Sequence, residues 1–193
     1  MEMSGEQLVP APQPAVWNAL NDPQMLKACV PGCESIELIG ENTYQVAMVA
    51  RVGPVSAKFK GKLTLSDIKP PNSYSIAFEG QGGPAGFAKG GAQVRLSPDS
   101  DNTRLAYDVK ASVGGKLAQI GSRLVDAAAK KIADDFFRNF NEKVSAAQPQ
   151  TAKDRSAAEP GDAQMPTLSN TKLGIFAAGA LLVFLAALIY FLR

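Results

Sequence analysis

Between Glu34 and Val113 the apolar residues fall on every second position, and immediately afterwards the spacing changes to that of a helix. Tyr44, Val46, Met48, Ala50 and Val52 alternate with small or polar neighbours, and Ala57, Phe59, Gly61, Leu63 and Leu65 alternate with Lys58, Lys60, Lys62 and Thr64. Tyr74, Ile76 and Phe78 repeat the pattern, as do Ala92, Val94 and Leu96, and then Leu105, Tyr107, Val109, Ala111 and Val113. A period of two places alternate side chains on opposite faces of a strand, so each run predicts a half-buried strand. Gly53-Pro54, Pro70-Pro71-Asn72 and Pro98-Asp99-Ser100-Asp101 separate the runs as turns. The whole reads as an antiparallel meander with one apolar and one wet face. From about Lys116 to Ala146 the apolar positions Ile120, Leu124, Ala128, Ile132, Phe136, Phe140 and Val144 instead predict one long helix with a single stripe. A sheet with one apolar face and a helix with one apolar stripe must cover each other, which gives an α+β domain with a sheet curved around a C-terminal helix.

The region before the meander holds a short strand, Met1 to Val9, ended by Pro10, Pro12 and Pro14, and then two short helices. Pro14 sits early in the first. Asp22-Pro23 supplies the N-cap and first residue of the second, and Pro31-Gly32 stops it.

After the long helix the composition breaks. Gln148 to Thr171 has three prolines and almost no large apolar side chain, and residues 147–171 read as a disordered tether. Leu173 to Leu192, LGIFAAGALLVFLAALIYFL, is twenty residues without charge or proline, flanked by Lys172 and Arg193. A helix of that length spans ~30 Å, the thickness of a bilayer core, so residues 172–193 are expected to form a single transmembrane anchor. Met1 to Gln7 holds two glutamates and no apolar stretch, unlike a secretory signal. The domain is therefore expected on the cytoplasmic side of the cytoplasmic membrane.

Twenty basic residues stand against eighteen acidic ones, a near balance that gives no basis for nucleic-acid binding. The chain has no histidine, which removes the commonest general base and metal ligand. Cys29 and Cys33 are its only cysteines, and free thiols are expected for a cytoplasmic domain. No catalytic or metal-binding group stands out.

The order of elements resembles the START-like helix-grip superfamily, and particular residues narrow it. Val9-x-Ala11 to Val16-Trp17, Leu20, Asp22-Pro23, Leu26 and Cys29-Val-Pro-Gly-Cys33-Glu34 resemble the opening of the carbon monoxide dehydrogenase G-subunit (CoxG) family. Gly114-Gly115-Lys-Leu117-Ala-Gln-Ile-Gly121 to Ala133-Asp134-x-Phe136-Phe137 resembles its closing helix. The resemblance implies a non-enzymatic accessory protein that recruits a carbon monoxide dehydrogenase-type molybdenum hydroxylase to the membrane. It also implies a hydrophobic interior for a lipid-like guest, with a respiratory quinone, menaquinone or ubiquinone, fitting the setting. A lipid carrier without a hydroxylase partner is the alternative.

Expected cavity residues are Met48, Phe59, Phe78 and Tyr107 from the strands, and Leu117, Ile120, Leu124 and Ala128 from the helical segment, with Phe87 beside the lid. The same residues would equally serve as ordinary core. Gly80-Gln-Gly-Gly-Pro-Ala85 formally matches a dinucleotide-binding pattern, but Pro84 lies within it, Gly86 follows and no strand-to-helix turn is predicted, so a hairpin is the better reading. Lys58, Lys60 and Lys62 project from one outward strand face, either as plain solvated surface or as a dock for acidic lipid or an acidic partner.

Overall fold

The computed structural model describes residues 2–52 and 55–147; the tether and the apolar anchor expected beyond Ala147 lie outside them. Among the described residues no helix is long and apolar enough to cross a membrane.

Seven strands form one antiparallel sheet: β1 (Glu2–Val9), β2 (Cys33–Gly40), β3 (Thr43–Val52), β4 (Val55–Lys69), β5 (Ser73–Gln81), β6 (Phe87–Asp99) and β7 (Asn102–Gly114). Their order is β1-β7-β6-β5-β4-β3-β2, a meander from β2 to β7 that β1 joins at the far edge. Helices α1 (Gln13–Leu20) and α2 (Pro23–Cys29) bridge β1 to β2, and α3 (Lys116–Gln119) and α4 (Ser122–Ala147) follow β7. This curved sheet with its C-terminal helix is the α+β arrangement expected from the spacing and matches the START-like fold that the resemblance implies.

Local chemistry sets the helix starts. Asp22 caps α2 by accepting the Gln24 N–H at 2.8 Å, with Pro23 in the first turn, where a missing N–H costs nothing. Gln13 in α1 ties two hairpins to the helix: its amide nitrogen donates to the Leu96 carbonyl at 3.0 Å, to Asn72 Oδ1 at 3.1 Å and to the Pro71 carbonyl at 3.2 Å. The buried Thr103 hydroxyl donates to the Ala11 carbonyl at 2.6 Å, fixing the exit of β1.

The core lies between the inner sheet face and the helices. Val9, Val16, Leu20, Leu26, Val94, Leu105, Phe136 and Phe140 are wholly buried in it. Asn139 of α4 donates to the Cys29 carbonyl at 3.0 Å, seating the end of α4 on α2. On the outer face, ion pairs cross neighbouring strands: Lys110 with Glu2 at 2.7 Å, Arg95 with Asp108, and Arg104 with Glu6 and Asp99. All are at the surface, where solvent screening leaves such pairs little net contribution to stability.

The helical segment departs from expectation. It is not one helix: Gly121 takes φ +91°, a left-handed value that ends one helical run and lets α4 start on a new phase. The stripe shifts accordingly. Val125 and Ala129 face the core, whereas Leu124 is 52% exposed and Ala128 only half-buried beside the buried face. Steps of four residues also advance 40° per turn on a helix of 3.6 residues per turn, so a strict every-fourth stripe cannot stay on one face over six turns. From Phe136 onward the expected positions Phe136, Phe140 and Val144 are buried.

Candidate ligand-binding interior

Register places the in-facing residues in rows across the sheet. One row runs Tyr44, Leu63, Phe78, Gly90, Ala111, and the next toward the β4–β3 hairpin runs Val46, Gly61, Gly80, Ala88, Val113. Beyond it come Met48 opposite Phe59 and Ala50 opposite Ala57. Toward the other end, in-facing Val94, Leu96, Leu105 and Val9 are sealed by α1, α2 and the second half of α4. At the hairpin end the seal is incomplete. Val55, Ala57, Gly90, Ala111 and Val113 all point inward yet remain partly exposed, as do Ile120 and Ala128 opposite them. Cover over the inward face is thus thinner at this end, the candidate opening of the interior, although inward Met3, Tyr107 and Ile132 elsewhere are half-buried as well.

Small residues widen that end. Phe59 lies across Gly82 and Phe78 across Gly90; in each case a Cβ on the glycine would enter the ring, as it would at Gly5 under Tyr107, which is on the Val94 row toward the sealed end. Phe78 and Gly90, and Tyr107 and Gly5, are direct cross-strand partners. The rings thus lie down on a neighbouring strand rather than standing up into the space above it. Tyr107 is further held by stacking on Phe137, with ring centroids 5.7 Å apart.

The expected cavity residues divide into two groups. Met48, Phe59 and Phe78 face inward and are buried, Leu117 is fully buried, and Tyr107, Ile120 and Ala128 are half-buried. Phe87 does not belong with them. It projects from the outer face, 48% exposed, and lies across Gly114. The sequence carried the signal: Phe87 is five residues before the inward Ala92, and an odd offset along a strand means the opposite face. Leu124 also points away from the sheet. Residues not anticipated at the open end are Val55 and Val125, together with Gly86 and Gly115. These two glycines cross backbone to backbone and press the 3₁₀ turn Gly83–Ala85 against the β7–α3 junction. That turn is a hairpin connection with no helix following it, so the formal dinucleotide pattern is not built into a phosphate site.

Chemically the interior is apolar. Among the described residues Thr103 is the only buried polar or charged one outside the tyrosines, and its hydroxyl is satisfied. Burial pushes the Tyr44 hydroxyl up to about 12. Tyr74 and Tyr107 are raised for the same reason, with the Asp134 charge adding to the shift at Tyr107. These phenols stay protonated at neutral pH, and among the described residues no carboxylate is buried beside them. Cys29 and Cys33 are free thiols, each pushed up to about 11 by burial.

On the outer face, Lys58 pairs with Glu34 at 2.5 Å, whereas Lys60 and Lys62 extend from β4 without an ion pair among the described residues.

The model of the carbon monoxide dehydrogenase G-subunit (CoxG) family matches residues 5–145. The chain belongs to the CoxG family. This family is named for a component of carbon monoxide dehydrogenase, and its match covers the whole helix-grip domain from β1 into the last turn of α4. No curated protein matches the chain significantly. Among solved structures, a conserved protein from Geobacillus kaustophilus is 34% identical to this CoxG-family chain, with a TM-score of 0.72, covering 76% of this chain and 96% of that one. A Thermus thermophilus protein (18% identity, TM-score 0.58, 77% and 100% covered) shares the fold. So does the Zhui aromatase/cyclase from a Streptomyces species (15% identity, TM-score 0.55, 75% and 93% covered).

Proposed function

We propose that this CoxG-family protein is a membrane-tethered accessory factor. It brings a carbon monoxide dehydrogenase-type molybdenum hydroxylase to the cytoplasmic membrane and carries a respiratory quinone, menaquinone or ubiquinone, in its interior. The observation that carries the reading is an apolar inner face whose cover is thinner near the β3–β4 hairpin, where Val55, Ala57, Val113 and Ile120 keep solvent contact, with no buried charge beside them among the described residues. An aliphatic tail gains ~0.8 kcal/mol for each methylene it buries, which a chamber of this lining can supply without any directed polar contact. The tyrosines, protonated throughout the physiological range, can donate to a ring carbonyl but cannot abstract a proton from it. That favours holding over turnover.

The apolar stretch of residues 173–192 supports the tether. Tethering makes encounter between enzyme and a bilayer-dissolved electron acceptor a search within a thin layer, raising effective concentration without a catalytic residue.

The test is to purify the full chain from membranes, extract it with organic solvent and identify bound lipids by mass spectrometry. Co-purifying quinone, or saturable uptake of an added short-chain quinone, supports the reading. An empty chain with no affinity for either quinone ends it. Capture of hydroxylase subunits by the full chain tests the recruitment part separately.

A further inference from the structure

We propose that Lys60, Lys62 and Lys89, with Phe87 and Ile39 beside them, form a lipid-contact surface that lays the outer sheet face on an anionic bilayer next to the open end of the interior. The inference rests on the membrane placement proposed above.

The three lysines come together only through strand register. Lys62 is opposite Glu79 on β5, and Glu79 is opposite Lys89 on β6, so one outward row reads Lys62, Glu79, Lys89. The adjoining row reads Lys60, Gln81, Phe87, Gly114. Lys60 and Lys62 are roughly 7 Å apart along β4, and Lys62 and Lys89 about 10 Å apart across two strand spacings. Several other cations on this face are paired, Lys58 with Glu34, Lys110 with Glu2, Arg95 with Asp108 and Arg104 with Glu6 and Asp99, whereas Arg51 and Lys69 stand apart from the patch. Lys60, Lys62 and Lys89 form no ion pair among the described residues, and Glu79 and Glu37 on the same outward row offset two of the three charges, leaving one in excess. They line a shallow depression of about 710 Å³ together with Ile39 and Phe87, two large apolar side chains that are 51% and 48% exposed.

Ammonium groups around exposed apolar side chains fit a bilayer surface, where phosphates meet the cations and the apolar groups enter the headgroup boundary. An acidic peptide fits less well. β4, β5 and β6 are paired on both edges, so no backbone donors remain for an added strand. Lysines also present point charges rather than the forked donors that select carboxylates. The position has a consequence for the interior. Lys60 and Phe87 are within a few residues of Ala57 and of the β6 start, and Gly114, under the Phe87 ring, directly follows the inward Val113. The patch and the thinly covered end are opposite faces of the same end of the sheet, so a domain resting on this patch keeps that end near the bilayer, with the sheet between the mouth and the lipid.

The experiment reconstitutes the full chain into vesicles of phosphatidylcholine alone and of phosphatidylcholine mixed with phosphatidylglycerol. Amine acylation rates are then read residue by residue by mass spectrometry, with exposed Lys27 and Lys130 as internal references. Lys60, Lys62 and Lys89 should react about five-fold more slowly in the anionic vesicles, the factor equivalent to the worth of one lysine near such a surface. Protection should disappear in ~1 M salt, where the Debye length is ~3 Å. Equal rates in both vesicles, or protection that appears only when the hydroxylase is added, would overturn the proposal while leaving the tether intact. A chain that fails to float with either vesicle would remove the tether and this surface together.

Discussion

Enlarging Ala111 separates an open chamber from a filled core. Ala111 is opposite Gly90, on which the Phe78 ring lies, and it points inward while remaining partly exposed. Ala92, on the same face one row nearer the sealed end, is 8% exposed. Leucine adds three carbons at either position. At Ala111 those carbons occupy guest space, and displacing three methylene equivalents costs the guest about 2.4 kcal/mol, or roughly 50-fold in affinity, at ~0.8 kcal/mol each. Stability should move by no more than ~0.5 kcal/mol, because the side chain enters space rather than a packed layer. At Ala92 the same change overpacks the core and should cost about 1–3 kcal/mol. Calorimetric titration of each full-length variant with a short-chain quinone, beside its denaturant unfolding curve, reads both quantities. If Ala111→Leu binds like the parent, the guest does not occupy this end. If it is destabilised as much as Ala92→Leu, the end is packed and the open-chamber reasoning fails.

Three further outcomes follow from the same geometry. Gln13→Ala removes one nitrogen that serves three acceptors, and a loss of about 1–3 kcal/mol is expected in chemical denaturation, with α1 loosening from the Asn72 and Leu96 segments in hydrogen exchange. Gly115→Ala forces a side chain onto φ +86° and brings its Cβ to 2.5 Å from Gly86 Cα, so a cost of about 1–3 kcal/mol should appear together with faster amide exchange in Gly83–Ala85. The Cys29 and Cys33 thiols titrate near 11 in the fold against an ordinary 9, so the unfolded chain loses its thiol protons first. Their contribution is therefore complete below about pH 9 and is lost as the pH rises through about 11. Alkylation near pH 8 should be slow for both until denaturant is added, and replacing both by alanine should flatten the alkaline fall in stability.

Strand pattern was legible because the sheet has one wet face: Lys58, Lys60 and Lys62 alternating with Phe59, Gly61 and Leu63 fix both the element and its orientation. The same parity shows Phe87 and Lys89 pointing outward once Ala92 points inward, although the position of Phe87 after the glycine-rich turn suggests the chamber. The helical region was less transparent. An alanine-rich stretch offers several apolar stripes at once, and the choice between Leu124 and Val125 depends on the phase set by Gly121, whose left-handed backbone is a consequence of the finished fold. Pairings such as Phe78 over Gly90, or Lys58 with Glu34, depend on register between separate strands, which no periodicity within one strand encodes. The thinner cover at one end is likewise a collective property of seven elements rather than of any one motif.

The chain's first strand finds its neighbour in its last: Glu2 faces Lys110 and Val9 faces Thr103. About a hundred residues must be synthesised before that edge can be zipped, and closing so long a loop defers its entropic cost until most of the domain exists. During translation the early strand waits exposed while the meander assembles hairpin by hairpin. High contact order of this kind slows folding, and a ribosome stalled before β7 would release a nascent chain with an unpaired edge in search of a partner.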